Sequence, residues 1–161
     1  MGKLDAHVRA LRHKAVSVFV TRGGDVLLQR RAAGKYHSGG LWANTCCTHP
    51  HWGEADAACA RRRLREELGI EGLAVVPRPG IEYRADVGGG LTEHEAVAVF
   101  TAEAPPGLSV TPAPHEVAAV RWMPIPALRR DVADRPDRYT AWMRIYVADH
   151  LDGILGARAM G

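Results

Sequence analysis

The segment from Glu54 to Ile70 constrains the fold more than any other part of the sequence. Apolar residues recur among charges at helical spacing, and Gly69 follows as a stop signal. The apolar positions are Ala57, Ala58, Ala60, Leu64 and Leu68. The spacing predicts a helix of about three to four turns over Glu54 to Leu68.

Short segments of β-strand character surround this helix. Val-rich runs flank Arg22-Gly23-Gly24-Asp25, the turn chemistry of a hairpin, and Gly88-Gly89-Gly90 predicts a second turn. Predicted strands are Ala15 to Val20, Val26 to Gln29, Ala74 to Val76, Ile81 to Ala85 and Ala96 to Ala102; predicted helices are Ile125 to Arg130 and Thr140 to Leu155. The alternation, which has no repeat period, predicts an α/β or α+β fold with a mixed sheet.

Length and charge limit the classes of function. The 161 residues, 47% hydrophobic and 24% charged, fit one globular domain that can fold without a disulfide or a metal, so any metal needs a functional reason. The net charge of +3 excludes a broad polyanion-binding surface, so no nucleic-acid partner is expected, while a local anion site is possible.

The sequence also indicates where the chain works. No segment approaches the roughly 18 apolar residues of a membrane span, and Met1 to Leu11 is too polar for a signal peptide. Three cysteines form an odd set, so reduced thiols are expected. We therefore expect a cytoplasmic protein with no membrane partner; the sequence leaves the oligomeric state open.

The charges of the predicted helix have an ordinary explanation and a specific one. Arg62 with Glu66 and Arg63 with Glu67 are i,i+4 pairs that any solvated helix can carry. The wider pattern, however, resembles the Nudix box, with Glu54, Arg62, Leu64, Glu66, Glu67, Gly69 and Ile70 in register. Two positions depart, because Thr48 replaces the opening Gly and Arg63 replaces the first helical Glu. The second change removes a metal ligand and adds a phosphate-binding guanidinium.

Two short motifs flank the helix. In extended backbone, i,i+2 spacing puts Cys47 with His49 on one face, and Glu93 with Glu95 on one face. Taken singly, these residues are explained by a small core thiol, a hydrogen-bonded imidazole and an exposed strand edge. Together with the box, they suggest that a thiol, an imidazole and two carboxylates converge.

Nearly the whole chain resembles the type I isopentenyl-diphosphate isomerases, which have a Nudix-type fold. The matching stretches are Leu11 to His13, Gln29 to Ala32, Gly40 to Asn44, Cys47 to Pro50, the box, Tyr83-Arg84 and Glu93 to Glu95. The resemblance implies a single catalytic domain over residues 1–161, a mixed sheet flanked by helices, with residues 1–13 contributing to the site. It also implies interconversion of isopentenyl and dimethylallyl diphosphate by proton transfer through a tertiary carbocation.

The resemblance assigns a role to each candidate site residue. Cys47 and Glu95 are the acid/base pair, Tyr83 is a neighbour that can take the proton, and Trp142 covers the carbocation. One divalent metal, Zn or Mn by ligand type with Mg as an alternative, is expected on His7, His13, His49, Glu93 and Glu95. Mg²⁺ on Glu67 and the cations Lys3, Arg31, Lys35 and Arg63 are expected to bind the substrate diphosphate. The other histidines, His37, His51, His94, His115 and His150, are predicted to be surface or local hydrogen-bonding residues.

Two alternatives stay open. A Nudix pyrophosphohydrolase of a nucleotide or small diphosphate would keep the helical Glu that Arg63 replaces, and it would not need Cys47. A non-catalytic binding module on the same scaffold would be expected to lose Cys47 or Glu95, and both are present.

Overall fold

A seven-stranded mixed sheet organises the chain in the computed structural model, which describes residues 12–35 and 37–156, the Arg12 side chain excepted. The strands are β1 Arg12–Arg22, β2 Asp25–Arg31, β3 Trp42–Ala43, β4 Cys46–Thr48, β5 Val76–Gly88, β6 Leu91–Glu103 and β7 Val117–Pro124. Their order is β3-β2-β1-β6-β5, with β4 also paired to β1 and β7 to β2. Because β1 and β6 run parallel and the other pairs antiparallel, the predicted mixed sheet is confirmed.

Helices lie against both faces of the sheet. They are α1 Asp56–Leu68, α2 Ile125–Asp134, α3 Ala141–Ile145 and α4 Leu151–Leu155, with a 3₁₀ turn at Pro136–Arg138 and a π-helical turn at Tyr146–His150. No helix among residues 12–35 and 37–156 is long and apolar enough to cross a membrane.

Strand β1 separates two hydrophobic clusters by the alternation of its side chains. Val16, Val18 and Val20 pack with α1, whereas Ala15 and Phe19 pack with the C-terminal helical segments. This period of two is the ordinary consequence of strand geometry. The predicted single domain, a sheet covered by helices on both faces, is therefore confirmed.

Most predicted elements are present, with shifted ends. The predicted hairpin forms between β1 and β2, where Thr21 pairs with Val26. Helix α1 ends as predicted, because Gly69 has a φ of 64° and its N–H caps the last turn. The helix predicted over Thr140 to Leu155 is three consecutive helical segments that start from a Thr140 cap.

Two expectations about strands were incomplete. Strand β5 begins at Val76 rather than at Ala74, and it continues unbroken to Gly88. Strand β7 was not predicted at all, because Arg121 and Pro124 break its apolar pattern. It is held by its ladder with β2, in which Leu27 pairs with Trp122, and that contact is not visible in local sequence.

Candidate active site

A cavity opens at the ends of β2, β4 and β6, between α1 and α3. The side chains around it come from distant parts of the sequence: Gln29, Arg31, Lys35, His37, Cys47, Thr48, His49, Arg63, Glu67, Glu93, Glu116 and Trp142. The set includes eight of the residues predicted for the site. Of the other predicted residues, His13, Tyr83 and Glu95 contact side chains that line the cavity. Lys3 and His7 lie outside the described residues.

Three of the expected metal ligands form a compact cluster. The ligand atoms of His13, His49 and Glu95 all lie within 4.8 Å of one another. The imidazoles stack with ring centroids 4.4 Å apart, and His49 Nε2 lies 2.9 Å from Glu95 Oε1. Register explains the arrangement, because His13 on β1 and Glu95 on β6 are direct partners in the parallel ladder. Two imidazole nitrogens and a buried carboxylate are a donor set that fits a divalent transition metal.

Glu93 is buried on the same face of β6, as the i,i+2 spacing predicts, but its contacts differ from those of Glu95. One carboxylate oxygen accepts a short hydrogen bond from the Tyr83 hydroxyl, and the other lies 3.4 Å from His37 Nε2. Tyr83 is the ladder partner of Glu95, yet its hydroxyl bonds to Glu93. Burial, followed by the nearby Tyr146, raises the pKa of Tyr83, so its phenol stays protonated and can donate.

Helix α1 and the residue Glu54 that precedes it carry a network of ion pairs. Arg62 binds Glu54 with two nitrogens, at 2.7 and 2.9 Å, and contacts Glu66 at 2.8 Å. The hydrogen bonds from Arg62 lower the pKa of Glu54 to about 2. Both i,i+4 pairs of the ordinary explanation therefore exist, since Arg63 also contacts Glu67 at 2.8 Å.

Glu67 is more constrained than a surface helical carboxylate. It is buried, and its Oε1 accepts a 2.9 Å hydrogen bond from the Gln29 amide, whose nitrogen also donates to the Thr45 carbonyl. Its Oε2 accepts from Arg63 at 3.1 Å and lies 3.6 Å from the Cys46 thiol. The helix thus presents a fixed, buried carboxylate to the cavity, which i,i+4 pairing alone does not provide.

The predicted phosphate-binding cations lie together at one side of the cavity. Lys35 Nζ and Arg63 Nη2 both contact Glu116 Oε2, at 2.6 and 3.5 Å. Burial raises the pKa of Glu116, but its pairing with Lys35 and Arg63 outweighs burial and lowers it. Arg31 donates to the His37 carbonyl at 3.3 Å. Lys35 and Arg63 are therefore held by one carboxylate, and together with Arg31, which also lines the cavity, they form the cationic wall.

Cys47 is the thiol that lines the cavity. Burial, and then the Glu93 carboxylate, raise its pKa to about 12, while a hydrogen bond from Ser17 works in the opposite direction. At neutral pH the thiol is consequently protonated. The other two cysteines, Cys46 and Cys59, are buried free thiols on the α1 side of the sheet.

Trp142 lies in α3 with only 2% of its surface exposed. The Arg31 guanidinium carbon is 5.1 Å from the centroid of the indole, so the ring already accepts a cation over one face. The His37 ring meets the indole edge-on, with centroids 5.6 Å apart. The face of Trp142 therefore has the electrostatic property that a cation-stabilising aromatic requires.

The sequence prediction was incomplete for His37 and gave no role to Glu116. His37 was predicted to be a surface or locally bonded residue, and the local bond to Ser38 is confirmed. The residue is buried, however, at 8% exposure, and its ring also contacts Glu93 and Trp142. The chain turns back there through Ser38 and Gly40, whose φ angles are 57° and 78°. Glu116, in a proline-rich loop, gave no signal.

Comparison with known proteins agrees with this geometry. The family model described as the NUDIX domain matches residues 11–143. A curated protein named isopentenyl-diphosphate Delta-isomerase, from Cereibacter sphaeroides strain ATCC 17025, is 63% identical over 96% of this chain and 87% of its own length. One of the same name from Dinoroseobacter shibae is 62% identical over 99% of this chain and 90% of its own.

Solved structures agree at the level of the fold. A MutT NUDIX hydrolase from Burkholderia pseudomallei has a TM-score of 0.67 at 22% identity, covering 86% of this chain and 98% of its own. The dihydroneopterin triphosphate pyrophosphohydrolase of E. coli has a TM-score of 0.63 at 16% identity, covering 89% and 96%. The chain therefore belongs to the Nudix domain family and, within it, to the isopentenyl-diphosphate Delta-isomerases.

Proposed function

We propose that this chain is an enzyme that interconverts isopentenyl diphosphate and dimethylallyl diphosphate. The observation that carries the proposal is the meeting, in one cavity, of a protonated thiol at Cys47, the cationic wall and the indole of Trp142. The reaction needs a proton donor, an anchor for the diphosphate and a surface that tolerates a carbocation. The names of the curated relatives agree with this assignment.

The cationic wall and Glu67 bind the diphosphate end of the substrate. Arg63 and Lys35 supply charge-assisted hydrogen bonds, and Arg63 offers the forked geometry that suits phosphate oxygens. Glu67, held by Gln29, would hold a Mg²⁺ ion, which would supply positive charge to the diphosphate. Anchoring this end directs the five-carbon tail toward Cys47 and Trp142.

The proton transfers use Cys47 and Glu95. One group gives a proton to the double bond, the resulting tertiary carbocation lies against Trp142, and the other group removes a proton from a neighbouring carbon. Tyr83, bonded to Glu93, is a candidate relay: it would accept the proton from Glu95 while giving its own phenolic proton to Glu93, so that the phenol stays protonated. One proton is added and one is removed in each turnover, so the product has the same number of hydrogen atoms as the substrate, as an isomerisation requires.

A divalent metal would be held by His13, His49 and Glu95, joined by Glu93 and by His7 of the N-terminal segment. When bound, Zn²⁺, Mn²⁺ or Mg²⁺ fixes the Glu95 carboxylate and lowers its basicity. We further propose that residues 1–161 act as one catalytic domain to which residues 1–13 contribute, and that the enzyme works in the cytoplasm on a small-molecule diphosphate, without a nucleic-acid or membrane partner. Its three free thiols suit a reducing compartment.

The discriminating experiment is incubation of the metal-loaded protein with isopentenyl diphosphate in heavy water. We expect dimethylallyl diphosphate that carries deuterium, with no release of phosphate. Phosphate release without isomerisation would support the pyrophosphohydrolase instead.

A pair of variants tests the role of the thiol. Cys47→Ala should abolish turnover while metal content and thermal unfolding stay as in the parent protein. Cys59→Ala removes a buried thiol on the other side of the sheet and should retain turnover. Turnover by the Cys47→Ala protein would contradict the proposed mechanism.

A further inference from the structure

Two buried hydroxyl groups lie beneath the Cys47 thiol. Ser17 on β1 and Cys47 on β4 are direct partners in an antiparallel ladder. Directly opposed side chains project to the same face with Cβ atoms about 4.5–5.5 Å apart. That face is the one covered by the C-terminal helical segments, because Ala15 and Phe19, two residues to either side of Ser17, pack in that cluster. The Ser17 hydroxyl is thereby placed beside the thiol.

Tyr146 supplies the second hydroxyl from the opposite layer. Its oxygen lies 2.9 Å from Ser17 Oγ, and both residues are fully buried, at 0% exposure. Cys47 packs against the hydrophobic cluster that contains Tyr146, on the face of the sheet to which Ser17 projects. A buried hydroxyl is costly unless its hydrogen-bonding capacity is used, and the Cys47 thiol is the polar group that lies directly opposite Ser17 in the ladder.

The local backbone places Tyr146 for this contact. Tyr146 follows Trp142 by four residues, so the two side chains lie on the same helical face. The π-helical turn at Tyr146–His150 starts at this residue, and such turns within α-helices are frequently found at functional sites. One helical face therefore contributes both the indole at the cavity and the phenol under the thiol.

We propose, on the basis of the proposed function, that Ser17 and Tyr146 are positioning residues for Cys47. Their hydroxyls fix the direction of the S–H bond toward the cavity, and they donate hydrogen bonds to the sulfur while its proton is on substrate carbon. Neither residue touches the substrate. The two act as one unit, because each hydroxyl is the other's hydrogen-bonding partner.

The test removes one oxygen at a time, with Ser17→Ala and Tyr146→Phe, and measures kcat and KM for isopentenyl diphosphate. A hydrogen bond to a charged group changes an equilibrium about 10- to 100-fold, so we expect each variant to lose about tenfold or more in kcat. KM should stay within about twofold, since the cationic wall is untouched. The double variant should be within about threefold of the worse single variant, because coupled residues are not additive.

Tyr139→Phe is the matched control. Tyr139 belongs to the same hydrophobic cluster and is buried, and its hydroxyl bonds to Asp131 at 2.6 Å. It should lose stability without losing kcat. The proposal is overturned if Tyr139→Phe lowers kcat as much as Tyr146→Phe does. It is also overturned if the Tyr146 and Ser17 variants raise KM as strongly as they lower kcat, because the effect is then general to the core.

A second readout does not depend on isomerase activity. The rate at which iodoacetamide labels Cys47, followed by mass spectrometry of its peptide at about pH 8, should fall several-fold in Ser17→Ala and Tyr146→Phe and stay unchanged in Tyr139→Phe. Slower labelling in a protein whose parent form does not isomerise the substrate would support the positioning role while contradicting the proposed function. Unchanged labelling and kcat in both variants, alongside an inactive Cys47→Ala, would overturn the positioning role alone. Should Ser17→Ala fail to fold, Ser17→Thr retains the hydroxyl and is expected to keep kcat within about threefold.

Discussion

Replacing Arg63 tests the most unusual position of α1. The guanidinium contacts three carboxylates, Glu67 at 2.8 Å, Glu66 at 2.9 Å and Glu116 at 3.5 Å. If it binds diphosphate, it exchanges some of these contacts for phosphate oxygens. A charge-assisted hydrogen bond contributes about 1.5–3 kcal/mol, and the exchanged carboxylate contacts offset part of that. We therefore expect Arg63→Ala to raise KM about 10- to 30-fold with a smaller change in kcat.

Two further variants sharpen this prediction. Arg63→Lys keeps the charge but loses the fork, so its KM should lie between those of the parent and the Ala variant. Arg65→Ala removes an exposed arginine from the same helix and should leave KM unchanged. Steady-state kinetics with isopentenyl diphosphate, and thermal unfolding to exclude a folding defect, provide the measurements. An unchanged KM in Arg63→Ala would refute the assignment of this residue to the diphosphate site.

The remaining predictions concern the face of Trp142, the cluster of His13, His49 and Glu95, and the end of α1. Trp142→Phe should lose less than tenfold in kcat and Trp142→Ala about 30-fold or more, because Phe retains a π face; equal losses would indicate packing alone. His49→Ala should lower the content of bound divalent metal, measured by elemental analysis. The control is His94→Ala, which removes an imidazole from the opposite face of β6 and should leave the metal content unchanged. Equal metal content in the two proteins would argue against the ligand assignment. Gly69→Ala should lower the free energy of unfolding in urea by about 2 kcal/mol, since its φ is 64° and a Cβ there would lie 3.1 Å from a neighbouring side chain; Gly72→Ala, with a φ of 78° and open space, should cost about 1 kcal/mol.

Local sequence patterns were sufficient to predict the helix and the strand that contribute site residues. Helix α1 was predicted from apolar spacing and a terminal glycine, and the common face of Glu93 and Glu95 from strand periodicity. Both are properties of a few consecutive residues, so the sequence contains them directly.

The contacts between distant segments could not be predicted in this way. The bond of Tyr83 to Glu93 depends on side-chain direction across β5 and β6, and the place of His37 depends on the fold of a glycine-containing loop. Glu116 joins Lys35 and Arg63 only after the loop before β7 has packed onto α1. Such contacts are consequences of tertiary packing, which single-segment patterns do not encode.

Strand β1 ties catalysis to folding through its alternation. Its odd-numbered residues include His13 of the His13–His49–Glu95 cluster and Ser17, the ladder partner of Cys47, while Val16, Val18 and Val20 fill the hydrophobic cluster against α1. A shift of one residue in the register of β1 would exchange these two sets, removing both the site residues and the core at once. A misregistered molecule would therefore be unstable as well as inactive, so the requirement for a packed core also protects the geometry of the site.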